Sequence, residues 1–345
     1  MCYPRGDPSG PIPGPRKTEP PAHPPMFAPL PTPTTEDGSE RRIGVEIEFG
    51  GLDRDAAAAC VRAEFGGSLH DAGALETEIR DTGIGTFRVY LDTALRKYAD
   101  TPLKKAGLEL GSAVIPVEIV TPPLPPAALP TLEKLRARLR ARGATGSRDG
   151  LFLGFGVHFN PEVPALSGTA TVHIVTAYAL IEDWLRAVNP INLSRRVLPF
   201  TDPYPRGFVD DLAAGWPEMD VDALFGLYAR HGNTRNRGLD MLPLFAHLDR
   251  ARFDRLFPRD TATGGRPTFH YRLPDCRIDE ADYRLADEWN RWVLVERVAA
   301  DRAAMAELAE AWAAHRGALL TVRPDWKDRA DAILSRHGLS GEARL

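Results

Sequence analysis

The stretch from Arg42 to Phe49 constrains the fold more than any other: apolar Ile43, Val45, Ile47 and Phe49 alternate with Gly44, Glu46 and Glu48. A period of two is that of a β-strand with one apolar face, so both carboxylates point from the other face. Two acids side by side repel unless water or a cation separates them. On pattern alone, two readings stand together. One is a half-buried edge strand with a solvated acidic face. The other is an oxygen-ligand site for a hard divalent ion such as Mg²⁺.

Later apolar runs decide how much company the two acids have. Residues 113–120 form a β-branched run carrying Glu118, and Pro116 within it suggests an edge or bulged strand. The run 86–92 ends in Asp92, the run 151–160 carries His158 and Asn160 two apart, and 268–274 carries His270 and Arg272 two apart. Singly, each has a plain explanation: a strand Glu is usually solvated and a lone His is usually a satisfied core residue. Repetition over five strands changes the balance. If these faces converge, carboxylates plus imidazole make an oxygen-rich, partly nitrogen-ligated site suited to Mg²⁺ or Mn²⁺, with arginines to meet anionic oxygens.

Around these runs the chain reads as an α+β protein on a largely antiparallel sheet, because short strands come first and helices are inserted without a βαβ rhythm. Asp53 caps a helix to Phe65, and residues 68–92 read as a meander of short strands. Further helices are expected over 129–142, 169–188, 279–315 and 325–337, the first with Leu132, Leu135 and Leu139 on one stripe and Arg136, Arg138, Arg140 and Arg142 on its solvated face. The basic, Pro-rich stretch 189–237 reads as a loop layer over a site, interleaved with short helical pieces such as 222–231. Residues 1–40 are crowded with Pro and read as a disordered or polyproline arm, leaving 41–345 as a single domain.

Composition removes several function classes. A net charge of −4 gives no general attraction to nucleic acid. No apolar run approaches the roughly 20 residues of a spanning helix, so no membrane insertion is expected. Three cysteines without a CxxC pair argue against a disulfide framework and point to reducing cytoplasm. There is no G-x-x-x-x-G-K-[ST] loop, no dinucleotide Gly fingerprint and no G-x-S-x-G elbow.

Four segments together carry a resemblance: Gly44-Val45-Glu46-Ile47-Glu48-Phe49, Val117-Glu118-Ile119-Val120-Thr121-Pro122-Pro123-Leu124, Gly154-Phe155-Gly156-Val157-His158-Phe159 and Thr268-Phe269-His270-Tyr271-Arg272. In this order they resemble the amidoligase family of the carboxylate-amine ligase superfamily, which has the glutamine synthetase and glutamate-cysteine ligase fold. The resemblance implies an antiparallel sheet forming the floor of a funnel with helices packed outside. It implies an ATP- and Mg²⁺-dependent (or Mn²⁺-dependent) ligase that joins a small-molecule or peptide carboxylate to an amine through an acyl-phosphate. By the same resemblance Glu46, Glu48, Glu118 and His158 are metal ligands. Arg235, Arg237, Arg272 and His270 stand toward the nucleotide, and Asp92 with Arg272 toward the chemistry. Two positions depart from the family's pattern, Gly156 where the first His of a pair is expected and His270 where Glu is expected. A metal-dependent amide or phosphoester hydrolase and a non-catalytic interaction module are the alternatives the residues leave open. Oligomeric state is not written in the sequence.

Overall fold

The computed structural model describes residues 26–73, 75–91, 116–147, 154–192, 195, 201–231, 234–257, 263–317 and 323–341. Asp92 and residues 1–25 of the Pro-rich arm lie outside them, as do residues 113–115 and 151–153 of two expected strands.

The sheet is mixed with helices, as the α+β expectation requires. In chain order its strands are β1 (Ile43–Phe49), β2 (Ser68–Asp71), β3 (Glu76–Thr82), β4 (Gly85–Leu91), β5 (Val117–Val120), β6 (Val157–Pro161), β7 (Leu239–Asp240) and β8 (His270–Tyr271). They form one open eight-stranded sheet in the order β2-β3-β4-β5-β1-β6-β8-β7. Every pair in it is antiparallel. The meander expected over 68–92 is β2, β3 and β4. The edge position expected for the Glu118 strand is overturned, because β5 pairs with β4 on one side and β1 on the other. Pro116 stands just before the first paired residue, so its missing N–H removes no ladder bond.

The alternation read in β1 runs across the whole sheet. One face carries Ile79, Phe87, Val89, Val117, Ile119, Ile43, Val45, Ile47, Phe49, Val157 and Phe159, none of them accessible to solvent. Helices cover it. The α-helices among the described residues are α1 (Arg54–Phe65), α2 (Leu129–Ala141), α3 (Ala170–Val188), α4 (Arg206–Gly215), α5 (Val221–His231), α6 (Leu242–Leu248), α7 (Arg250–Leu256), α8 (Leu285–Ala300), α9 (Arg302–Gly317) and α10 (Arg323–Arg336), of which α1, α3 and α8 meet the strands directly. Phe65 of α1 stacks on Phe87 of β4 at 4.8 Å. From α8, Trp289 meets Phe159 of β6 at 5.7 Å, and Trp292 meets Tyr271 of β8 at 5.4 Å. Rings this large bury the most apolar area per residue and fix how α8 lies across the strands.

One helical expectation changes and another is met. The single helix expected over 279–315 is two, because Asp301 leaves the helical conformation (φ −87°, ψ 95°) and its carboxylate accepts the Ala303 and Ala304 N–H groups at the start of α9. The layer expected over 189–237 as loops interleaved with short helical pieces contains α4 and α5, the second matching the piece expected at 222–231, and Phe208 and Tyr228 of these helices join Tyr204 in an edge-to-face cluster. The arm from Met26 onward is packed on the domain: Ala28 exchanges hydrogen bonds with Asn290 and Trp289 of α8 (both 2.8 Å), and Leu30 is buried.

Candidate metal centre on the polar face of the sheet

Register places the predicted site residues in adjoining rows. Glu48 of β1 lies opposite Glu118 of β5, which lies opposite Tyr90 of β4. In the next rows Glu46 faces His158 of β6, and Gly44 faces Asn160. Pairing of Phe159 with Tyr271 puts His270 and Arg272 on the same side as His158 and Asn160, and Asp240 of β7 faces His270. Glu46, Glu118, His158, Asn160 and His270 are each 3–7% exposed, so this polar face is buried at its centre. Buried carboxylates without partners are too costly to persist, and here each has them.

A chain of hydrogen bonds fixes the donors. The Glu46 carboxylate accepts from His158 Nδ1 at 2.8 Å and from Asn160 Nδ2 at 3.0 Å. A carboxylate only accepts, so His158 carries a proton on Nδ1, and the Asn160 amide must turn its oxygen the other way. That oxygen accepts from His270 Nδ1 at 2.5 Å, which places the proton of His270 on Nδ1 as well. In the tautomer with the proton on Nδ1, each ring keeps its Nε2 lone pair for a ligand. The two rings meet edge to face at 5.2 Å. Glu46 acts on both imidazoles in the manner of the carboxylate–histidine–metal relays, in which an outer acid orients a ligand ring.

Charge follows from this arrangement. Burial, aided by His158 and by the Arg272 and Arg235 guanidiniums, pushes His270 well below the usual imidazole value despite the opposing pull of Glu46, so it is neutral around pH 7. Burial alone would raise the Glu46 carboxyl, but His270, His158 and Arg266 outweigh it and hold Glu46 well below the usual carboxylate range. With His270 neutral, support for the Glu46 anion comes from His158, Asn160 and Arg266, whose Nη1 is 3.4 Å from Glu46 Oε1. Tyr90 is pushed far up, first by burial and then by Glu118, Glu46 and Glu48, and stays a neutral phenol. Asp240 is pushed up to about 6 by burial, against the pull of Arg235 and Arg272.

Among the described residues, two groups of side chains could hold a cation: Glu46 with His158 and His270, and Glu48 with Glu118 and His158, each offering ligand atoms within 4.8 Å of one another. His158 belongs to both. Its Nε2 stands 3.6 Å from Glu48 Oε1, and Glu48 Oε2 accepts the Gly156 N–H at 2.8 Å. The space over Gly156 is already taken, since a Cβ there would lie 2.7 Å from His158 Nε2 and 3.1 Å from Arg195 Nη2. Arg195 is buried and tied to Asp275 and to the carbonyls of Arg272, Leu273 and Pro274. At the departure from the family pattern, a guanidinium therefore stands beside His158 where a second imidazole is expected.

The chain matches the family model described as "Putative amidoligase enzyme" over residues 39–294. It belongs to the amidoligase family. No curated protein and no solved structure matches it. The matched span of this amidoligase-family chain contains every strand of the sheet and every member of both cation clusters.

Of the predicted site residues, Glu46, Glu48, Glu118, His158 and His270 come together in these clusters. Arg272 lies on the same face, its Nη1 donating to the Arg235 carbonyl at 2.5 Å, while Arg235 Nε stands 3.7 Å from Asp240. Arg237 turns toward Pro203, whose carbonyl accepts from its Nη1 at 2.7 Å. Asp92 lies outside the described residues. Sequence reading assigned no role to Tyr90, Arg195, Asp240 or Arg266. Tyr90 falls on the period of two of the run 86–92 and was within reach of the pattern. Arg266 comes from irregular backbone and Arg195 from a basic stretch with no period to reveal it, and Asp240 sits on a two-residue strand. No helix among the described residues is long and apolar enough to cross a membrane.

Proposed function

We propose that this chain is an ATP- and divalent-ion-dependent carboxylate–amine ligase, working through an acyl-phosphate. The observation that carries the reading is the buried set Glu46, Glu118 and His158, with half-buried Glu48 beside it, at the centre of one sheet face in an amidoligase-family chain. Mg²⁺ or Mn²⁺ would be held by Glu48, Glu118 and His158, with Glu46 and Asn160 fixing the imidazole behind them. Bound there, the ion supplies positive charge between a substrate carboxylate and the nucleotide phosphates. The donor set fits such an ion, since it offers carboxylate oxygen and imidazole in a pocket of low solvent access.

The chain's own groups then have distinct tasks. Arg272, oriented by the Arg235 carbonyl, meets phosphate oxygens, and Arg235 and Arg237 extend the positive edge. In the first step a carboxylate oxygen bonds to the γ-phosphorus and the bond to ADP breaks. In the second, a neutral amine bonds to the acyl carbon and phosphate leaves. The attacking ammonium must first lose a proton, and Asp92 is the acid assigned to accept it. Arg266, half exposed at the rim of Glu46, is placed to meet the carboxylate of an incoming acid or peptide.

Incubation of the full chain with ATP, Mg²⁺ or Mn²⁺ and pools of amino acids and short peptides tests this. ADP and phosphate are expected only when both acid and amine are present. No release with any pool, together with no nucleotide binding by calorimetry, defeats the reading, and turnover of an amide without ATP replaces it with hydrolysis.

A further inference from the structure

One row of the polar face crosses the sheet from the β2–β4 meander to β8. Register places Arg88 of β4 beside Val120 of β5, Val120 beside Glu46 of β1, and Glu46 beside His158 of β6. Pairing of Phe159 with Tyr271 sets Arg272 next to His158. Two guanidiniums thus flank Glu46 along the row, each two strands away, which is about 10 Å at the backbone. Arg272 is the one that the ligase reading gives to the nucleotide. Arg88 has no task in that reading, and its side chain is 60% exposed. We propose that Arg88 and Arg266 seat the two ends of a dianionic acid substrate, a short peptide rather than a single amino acid.

The Arg88 guanidinium is not spent within the protein. Its Nε stands 3.5 Å from Glu78 and 3.6 Å from Glu76, too long for well-formed hydrogen bonds, and Glu78 is already met by Arg80 at 2.7 Å. Exposed pairs of that length contribute little and give way to a better acceptor. A substrate carboxylate is such an acceptor, because it fits the guanidinium fork with two parallel contacts. At the other end Arg266, its side chain 52% exposed, stands 3.4 Å from Glu46. Length then decides the class of substrate. Between Glu46 and Arg88 lies half-buried Val120, an apolar step, and crossing it takes about 10 Å, or about three residues of extended chain. Glu76 and Glu78 on β3 draw the guanidinium outward, which lengthens the span. The two carboxylates of free aspartate or glutamate are only a few bonds apart and do not bridge it. From the ligase reading this inference takes only that a carboxylate reacts beside Glu46 and Glu48; the binding it expects needs no turnover.

The test uses the full-length protein with Mg²⁺ and the peptides Asp-Ala-Ala and Glu-Ala-Ala, each with a free or an amidated C-terminus, in calorimetric titrations. The free acids are expected to bind at least about tenfold more tightly than their amides, and than aspartate or glutamate alone. Arg88→Met keeps the aliphatic stem and should erase that difference while the melting temperature stays where it was, and Arg88→Lys should restore part of it. Free acids that bind no better than their amides, a preference that survives Arg88→Met, or no binding of any of the peptides overturns the inference. ADP release, measured with the same peptides plus an amine, separates it from the ligase reading. Arg88-dependent peptide binding without ATP consumption keeps this seat and sinks the ligase. Consumption of ATP with single amino acids, unaffected by Arg88→Met, keeps the ligase and sinks the seat.

Discussion

A side chain at Gly156 has no room, and the reason lies in two neighbours that cannot both yield. Its Cβ would sit 2.7 Å from His158 Nε2 and 3.1 Å from Arg195 Nη2. Arg195 is held by four acceptors, so the imidazole is the group displaced. Gly156→Ala is therefore expected to weaken divalent-ion binding by about 10- to 100-fold, at a folding cost of about 1–3 kcal/mol for overpacking. Titration with Mn²⁺ beside a thermal melt measures both, and unchanged ion affinity would show that His158 Nε2 takes no part. Asp240 gives a second residue-scale test, through pH. Its folded value of about 6 lies above the ordinary 3.8, so the native state holds more protons between those limits. The stability it contributes is thus fully present below pH 4 and is lost as pH rises through 6, by up to about 3 kcal/mol. Asp240→Asn should flatten that segment of a stability-against-pH curve; an identical slope in the variant would mean that Asp240 is ionised throughout.

β1 is held from outside the sheet by a charge pair one element away. Arg41, just before the strand, donates twice to Glu296 of α8, with both contacts at 2.8 Å, and neither side chain is more than 2% exposed. A buried pair of this geometry roughly offsets its own desolvation, but removing one partner strands the other charge at a cost of about 3–5 kcal/mol. Glu296→Ala should lower the urea midpoint accordingly, whereas the double change Arg41→Met with Glu296→Leu should recover most of the loss. A single variant as stable as the native chain would mean that water reaches the orphaned guanidinium. This clamp was invisible in the sequence because 255 residues separate its halves. What was legible follows the same logic in reverse. β1, β3 and β4 are long enough for a period of two to stand out, and the paired Glu46 and Glu48 came from that period. β7 and β8 have two residues each, too few to carry a period, and are strands only because β6 offers β8 a partner and β8 in turn offers one to β7. The break at Asp301 was missed because apolar positions continue across it, while the cap that divides α8 from α9 is a matter of backbone conformation.

Seen as a whole, the molecule is one sheet with two unlike faces. The apolar face is closed by helices and made the α+β class and the antiparallel sheet readable, since alternation reports which side is buried. The polar face is the harder half: its residues were named singly, but their convergence depends on strand order, with β5, β1 and β6 adjacent although they lie far apart in sequence. That order concentrates Glu46, Glu48 and Glu118 at the centre of the sheet, and negative charge gathered there disfavours the folded state until something cationic answers it. His158, Asn160 and Arg266 answer for Glu46. A bound divalent ion adds to that answer and, because the unfolded chain cannot assemble the cluster, binding shifts the folding equilibrium. The gain is RT ln(1 + [L]/Kd), about 2.7 kcal/mol at a hundredfold excess over Kd. Melting of the metal-stripped protein should thus move upward by several degrees on adding Mn²⁺, and return when a chelator is supplied in excess. Glu46→Gln should start from a lower melting temperature, because His158 Nδ1 and Asn160 Nδ2 lose a charged acceptor at about 1–3 kcal/mol, and should gain little from the ion. A native protein whose melting temperature ignores every divalent ion would mean that the acids of this face are balanced by side chains alone.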